Sequence, residues 1–161
     1  MTTSEYNKSV DEYSDNIYRF ALKNLRDTEK AKDVVQDTFE RLWVKVEDVN
    51  FEKVKSYLFT TAYHAMVDLS RKEKRVGEYN EAKVRKLGHN EQYSDAKEIL
   101  DEAVSKLPDI QRQMILLRDY EGYSYEEIGE ITNLNESQVK VYIFRARKFL
   151  KDYIGNLENV I

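Results

Sequence analysis

The side chains able to make or break bonds are few. There are two histidines, His64 and His89, and no cysteine, so disulfides, thiolate zinc sites and cysteine nucleophiles are excluded. His64 and Asp68 stand four residues apart, a spacing that can share a metal ion on one helix. No second helical His–carboxylate pair accompanies them, and His89 falls in a stretch with no sustained apolar period. Catalysis, a bound metal and a cofactor are therefore not expected. What remains is recognition by charge and hydrogen bonding. The balance of 26 Lys and Arg against 30 Asp and Glu, a net charge of −4, argues mildly against a free-standing nucleic-acid binder. The distribution is more informative than the total. Residues 137–151 hold Lys140, Arg145, Arg147, Lys148 and Lys151 and no acid, whereas every charged residue in 119–136 is acidic. A second basic knot, Arg71-Lys72-Glu73-Lys74-Arg75, closes the first half.

Two local motifs indicate what carries the last basic run. Ser124-Tyr125-Glu126-Glu127 has the form of a capping box, in which the Ser hydroxyl accepts from a free amide and the Glu reaches back to the Ser amide. Asn135-Glu136-Ser137-Gln138 repeats that chemistry. Two helix starts thus enclose one short helix, 125–132, and a tight turn at Asn133-Leu134. This is helix-turn-helix spacing, with Ile128, Ile131, Leu134, Val139 and Ile143 available to lock the pair. The second helix should run from Asn135 to about Tyr153, with Gly155 able to end it. The N-terminal part of such a helix meets base edges, and basic residues further along grip phosphates. That places Gln138, Lys140 and Val141 nearest the bases and Tyr142 and Phe144 against sugars or thymine methyls. Arg145, Arg147, Lys148 and Lys151 point in different directions, so not all can reach DNA. The plainer alternative is a solvated helical hairpin.

The elements that must position these groups read as helices almost throughout. Val10, Tyr13, Ile17, Phe20 and Ala21 recur at helical steps, giving a first amphipathic helix that ends near Arg26. Asp27 or Thr28 can cap a second, whose expected buried stripe is Ala31, Val34, Val35, Phe39, Leu42, Trp43 and Val46. A third runs from about Lys53 to Lys74, with Leu58, Ala62, Ala65, Met66 and Leu69 on one side and Thr60, Tyr63, His64 and Val67 opposite. Residues 75–95 hold two glycines and no apolar period, the pattern of a linker. Periodicity resumes at Ala96, Ile99, Leu100, Ala103, Val104 and Leu107. Pro108 marks a boundary, Met114, Ile115 and Leu117 fill a further helix, and Gly122 suits a left-handed cap.

One proline and five glycines in 161 residues are too few turn-formers for a many-stranded sandwich or barrel. The length allows one ordinary domain or two small ones. The expected fold is all-α: an N-terminal three- to four-helix bundle (1–75), a flexible linker (76–95) and a C-terminal helix-turn-helix domain (96–161). No apolar run approaches the roughly 20 residues that cross a bilayer, and the N-terminus lacks an export pattern. Membrane insertion is therefore not expected, and a cytoplasmic location is.

The whole chain resembles the extracytoplasmic-function sigma factors, small members of the sigma-70 family of bacterial RNA polymerase. The likeness is carried by LPDIQRQMILLRDYEGYSYEEIGEITNLNESQVKVYIFRARKFL at 107–150, by DVVQDTFERLW at 33–43 and by SYLFTTAYHAMVDLSRK at 56–72. Two independent motif sets in order are far more specific than a lone helix-turn-helix. The resemblance implies a subunit that binds core RNA polymerase, directs it to promoter DNA and helps melt the start region, without catalysis of its own.

By the same resemblance, the 33–43 helix docks on a basic coiled coil of the polymerase through Asp33, Gln36, Asp37 and Glu40. The third helix holds the upstream melted element through Thr60, Tyr63 and His64, with Arg71, Lys72, Lys74 and Arg75 on phosphates. The family commonly has Asn where this chain has His64. The C-terminal helix-turn-helix reads the distal element, where the family usually has a small residue and an Arg at the positions of Val141 and Tyr142. Arg112 matches a phosphate-contacting Arg. Many relatives are held inactive by an anti-sigma inhibitor protein. The rival reading is a helix-turn-helix regulator that acts without replacing a sigma subunit. Such a regulator would need an α/β receiver or ligand domain, and residues 1–75 show no strand pattern. A helical protein-binding adaptor is the third possibility, if the basic run is merely solvated.

Overall fold

The computed structural model describes residues 1–76 and 95–160, with side chains described at 1–73 and 96–156. Most of the expected linker, 77–94, and the side chains of Lys74 and Arg75 lie outside the described residues. The chain divides into two compact units, Met1–Leu87 and Gly88–Ile161, and every described element is helical.

In the first unit α1 spans Thr3–Leu25, α2 Thr28–Val44 and α3 Val54–Val76, the last preceded by a single 3-10 turn at Phe51–Lys53. Thr2 and Glu5 form a reciprocal capping box at the start of α1. Arg26 ends that helix in the left-handed region at φ 53, and Asp27 at once caps α2 by accepting from the amides of Glu29 and Lys30. A two-residue connection results, and α1 packs on both α2 and α3. The core holds Ile17, Phe20, Leu42, Leu58, Phe59 and Met66, with the Phe20 and Phe59 rings tilted at 5.5 Å.

Two expectations fail here for one reason: the phase of a helix is set by its neighbours and not by its own pattern. Buried positions on α2 run Ala31, Val34, Thr38, Phe39 and Leu42. Trp43, roughly 100° further round than Leu42, is 51% exposed instead of buried. On α3, the pattern places Tyr63 on the open side, but it is only 7% exposed.

In the second unit α4 spans Asp95–Ser105, α5 Asp109–Ile115, α6 Tyr125–Thr132 and α7 Glu136–Val160. Pro108 opens α5, which runs on into a π-helical turn over Leu116–Tyr120. Gly122 takes φ 77 after that turn. The Ser124–Glu127 capping box forms in both directions, and Asn133 closes α6 at φ 60. The tight turn also depends on Gly129, because a Cβ there would lie 2.7 Å from the backbone oxygen of Leu134. Helices α4, α5 and α6 all pack on α7, and Met114, Ile115, Leu117, Ile128, Val139 and Ile143 are buried between them. Gly155 does not end α7, which continues to Val160. A glycine inside a helix costs about 1 kcal/mol relative to alanine, which a packed helix tolerates.

Candidate protein and nucleic-acid interfaces

Helix α2 presents an unbroken polar edge. Asp33 and Gln36 are exposed. The Gln36 amide donates to Glu40 Oε1 at 3.0 Å, and Asp37 pairs with Arg41 at 3.1 Å. These i,i+4 contacts hold acids and an amide in one row, suited to donors on a partner. The row ends in an apolar step that periodicity alone missed, formed by Trp43 and by Val44, which is 78% exposed. Tyr6 of α1 meets the Trp43 ring edge-on at 5.0 Å and donates its hydroxyl to the Phe39 carbonyl at 2.9 Å. Burial, and then Glu40, push the Tyr6 pKa up. Thr3, Tyr6, Asn7, Glu40, Trp43 and Val44 line a shallow groove of about 630 Å³. The available signal was the Trp itself, one residue past an otherwise complete stripe.

Helix α3 separates its expected site residues. Thr60 and Val67 are half-buried, and His64, Arg71 and Lys72 are exposed. Tyr63 instead meets the His64 ring edge-on, with ring centroids 5.6 Å apart. Burial raises its pKa, and the charge of Arg71 opposes that shift, so Arg71 lies on the same side. Glu73, the one acid of the basic knot, is paired with Lys30 of α2. Among the described residues neither Arg71 nor Lys72, both exposed, has an ion-pair partner.

In the second unit the reciprocal cap at α7 forms as expected. Gln138 donates its amide to Asn135 Oδ1 at 2.8 Å, and its side-chain oxygen accepts from the Asn135 amide at 3.0 Å. Its side-chain NH2 has no hydrogen-bond partner among the described residues. Val141 and Phe144 are 44% and 69% exposed, and with exposed Arg145 and Lys148 they make one outward face at three- and four-residue steps. Tyr142 is half-buried. Lys140 pairs with Glu136 at 3.5 Å and lies 5.6 Å from the centre of the Tyr125 ring.

Two expected phosphate ligands are engaged elsewhere. Arg112, with 12% of its side chain exposed, donates to the Leu107 carbonyl at 3.0 Å and to Asp109 at 2.7 Å. It closes the α4–α5 corner. Arg147 donates twice to Asp119, at 2.6 and 3.3 Å. Hydrogen bonding to Asp119, with Tyr125 adding to it, raises the Arg147 pKa further. The acidic segment thus touches the basic helix through Asp119. That contact joins residues 28 apart, which no local pattern discloses. No group of His, Cys, Asp or Glu placed to hold a metal occurs among the described residues, and no helix there is long and apolar enough to cross a membrane.

Comparison with known proteins gives a consistent answer. The profile for Sigma-70 region 2 matches residues 10–76 and that for Sigma-70, region 4 matches 97–150. The chain is 33% identical over 144 residues to the ECF RNA polymerase sigma factor SigM of Bacillus subtilis, covering 86% of this chain and 88% of that one. It is 30% identical to the RNA polymerase sigma factor SigV of the same organism, over 88% and 86% of the two chains. In fold it is similar to the sigma factor RpoE solved in complex with the anti-sigma factor NepR from Bartonella quintana. That match has a TM-score of 0.82 at 22% identity and covers 95% of this chain and 98% of that one. It is also similar to CnrH in complex with the cytosolic domain of CnrY, with a TM-score of 0.70 at 22% identity and coverage of 94% and 88%.

Proposed function

This chain belongs to the extracytoplasmic-function group of sigma-70 RNA polymerase sigma factors, and we propose that its two helical units divide the work of promoter recognition. As a sigma factor it directs RNA polymerase to promoters and is not an enzyme. The first unit is the sigma region that binds core polymerase and holds the melted element; the second reads the distal element. The observation that carries this division is the match of two sigma regions, in order, to two separately packed helical units.

Within the first unit the row Asp33, Gln36, Asp37 and Glu40 meets a basic surface of core polymerase, with Trp43 and Val44 as its apolar end. On α3, Thr60 and His64 face the unpaired strand while Tyr63 backs His64. Arg71 and Lys72 supply the nearby positive charge, since a melted strand needs flat or polar partners for its bases and cations for its backbone. On α7, Lys140, Val141, Phe144, Arg145 and Lys148 form the duplex-reading surface, and Gln138 offers its NH2 at the helix start. An inhibitor protein of the kind bound to the two solved relatives would compete for these surfaces.

Asp37→Lys tests the first assignment. It places a cation in the acidic row without touching the core, so helical content should be unchanged and affinity for core polymerase should fall at least tenfold in co-elution or fluorescence titration. Unchanged core affinity would remove α2 from the interface.

A further inference from the structure

The π-helical turn Leu116–Tyr120 delivers two charged side chains to the helix-turn-helix. Arg118 donates to the Tyr123 carbonyl at 2.9 Å and stacks over the Tyr125 ring at 4.4 Å, fixing the start of α6. Its neighbour Asp119 grips Arg147 of α7 with both carboxylate oxygens. Turns of this kind realign side chains relative to a regular helix and recur at functional sites. Arg147 follows Lys140 by seven residues, and both lie on the Tyr125 flank of α7. The outward row of Val141, Phe144, Arg145 and Lys148 is separate from that flank.

We propose that Asp119 is a specificity-setting residue: it withholds Arg147 from DNA phosphate, so that fewer sequence-blind contacts accompany the base-reading face. The inference rests on the DNA-reading role proposed for α7. Each phosphate neutralised by a cation adds a salt-dependent, sequence-independent increment of affinity. An Arg kept on a carboxylate adds none. The pair is half exposed, at 49% and 40% for the two side chains, so it acts through the position and charge of Arg147 and not through stability. Removing the Asp119 charge while keeping its shape should release one more phosphate ligand and loosen discrimination between promoter and unrelated duplex.

The test measures binding of the full chain, assembled with core polymerase, to a promoter duplex and to a scrambled duplex across a salt series. Four variants are compared: Asp119→Asn, Arg147→Gln, the double variant and Lys148→Gln. Asp119→Asn should steepen the slope of log affinity against log salt by ~0.9, equivalent to about a threefold larger loss between 50 and 200 mM salt. It should also narrow the promoter-to-scrambled ratio. Arg147→Gln alone should leave the slope unchanged, and the double variant should restore the starting value. Lys148→Gln should flatten the slope by a similar step and so tests the reading of α7 separately. If Lys148→Gln has its effect but Asp119→Asn leaves slope and ratio as they were, the role of Asp119 is wrong. If Asp119→Asn does not fold, a flattened slope in Arg147→Gln alone is enough to overturn it. If Lys148→Gln changes nothing, the DNA-reading role of α7 fails instead.

Discussion

At Gly129 the chain has no room for a side chain. An added Cβ would stand 2.7 Å from the Leu134 carbonyl oxygen, a backbone atom of the turn between two packed helices. Alanine gains up to about 1 kcal/mol of helix propensity over glycine, but overpacking of this kind costs about 1–3 kcal/mol. Gly129→Ala should therefore lower thermal stability and splay α6 from α7. Thermal unfolding checks the first effect, and loss of distal-element binding at a temperature where the protein is still folded checks the second. Arg112 and Arg147, expected from the sequence to meet phosphates, are both bonded within their own unit. A positive charge is legible in a sequence, whereas its partner is not when that partner lies across a corner or 28 residues away.

Among the elements, those specified by neighbours in sequence were read well. The Ser124–Glu127 box and the Asn135–Gln138 pair both form as written, because a cap requires only residues three apart. The angular phase of each helix was less legible, since it depends on which neighbours the helix meets. Trp43 turned outward and Tyr63 inward on that account, and the π-helical turn had no signal in the pattern. Gly155 lies inside α7 because a glycine can end a helix but need not. The outward turn of Trp43 has a consequence for α2 as a docking element. Trp43→Ala removes a half-exposed ring that meets the edge of Tyr6, so it should cost less stability than the about 3–5 kcal/mol of a fully buried aromatic. If α2 docks as proposed, affinity for core polymerase should fall at least tenfold, the size of an aromatic hot spot of ~2 kcal/mol. A large loss of stability with intact core binding would instead make Trp43 a structural residue.

For the whole molecule, a net charge of −4 opposes tight encounter of the free chain with duplex, while two short cationic surfaces suit contacts made after docking on a larger partner. Among the described residues, the open face of α7 and Arg71 and Lys72 of α3 are each small, and neither alone offers the extended positive surface of a self-sufficient DNA binder. Promoter specificity should therefore emerge only in the assembly, as the division of labour between the units requires. The most direct test is transcription reconstituted from purified core polymerase, this chain and a library of genomic promoter fragments. Discrete start sites should appear only when chain and core are both present, and the chain alone should show weak, salt-sensitive binding to the same fragments. Tight sequence-specific binding by the chain alone, with no new transcripts when core is added, would contradict the account.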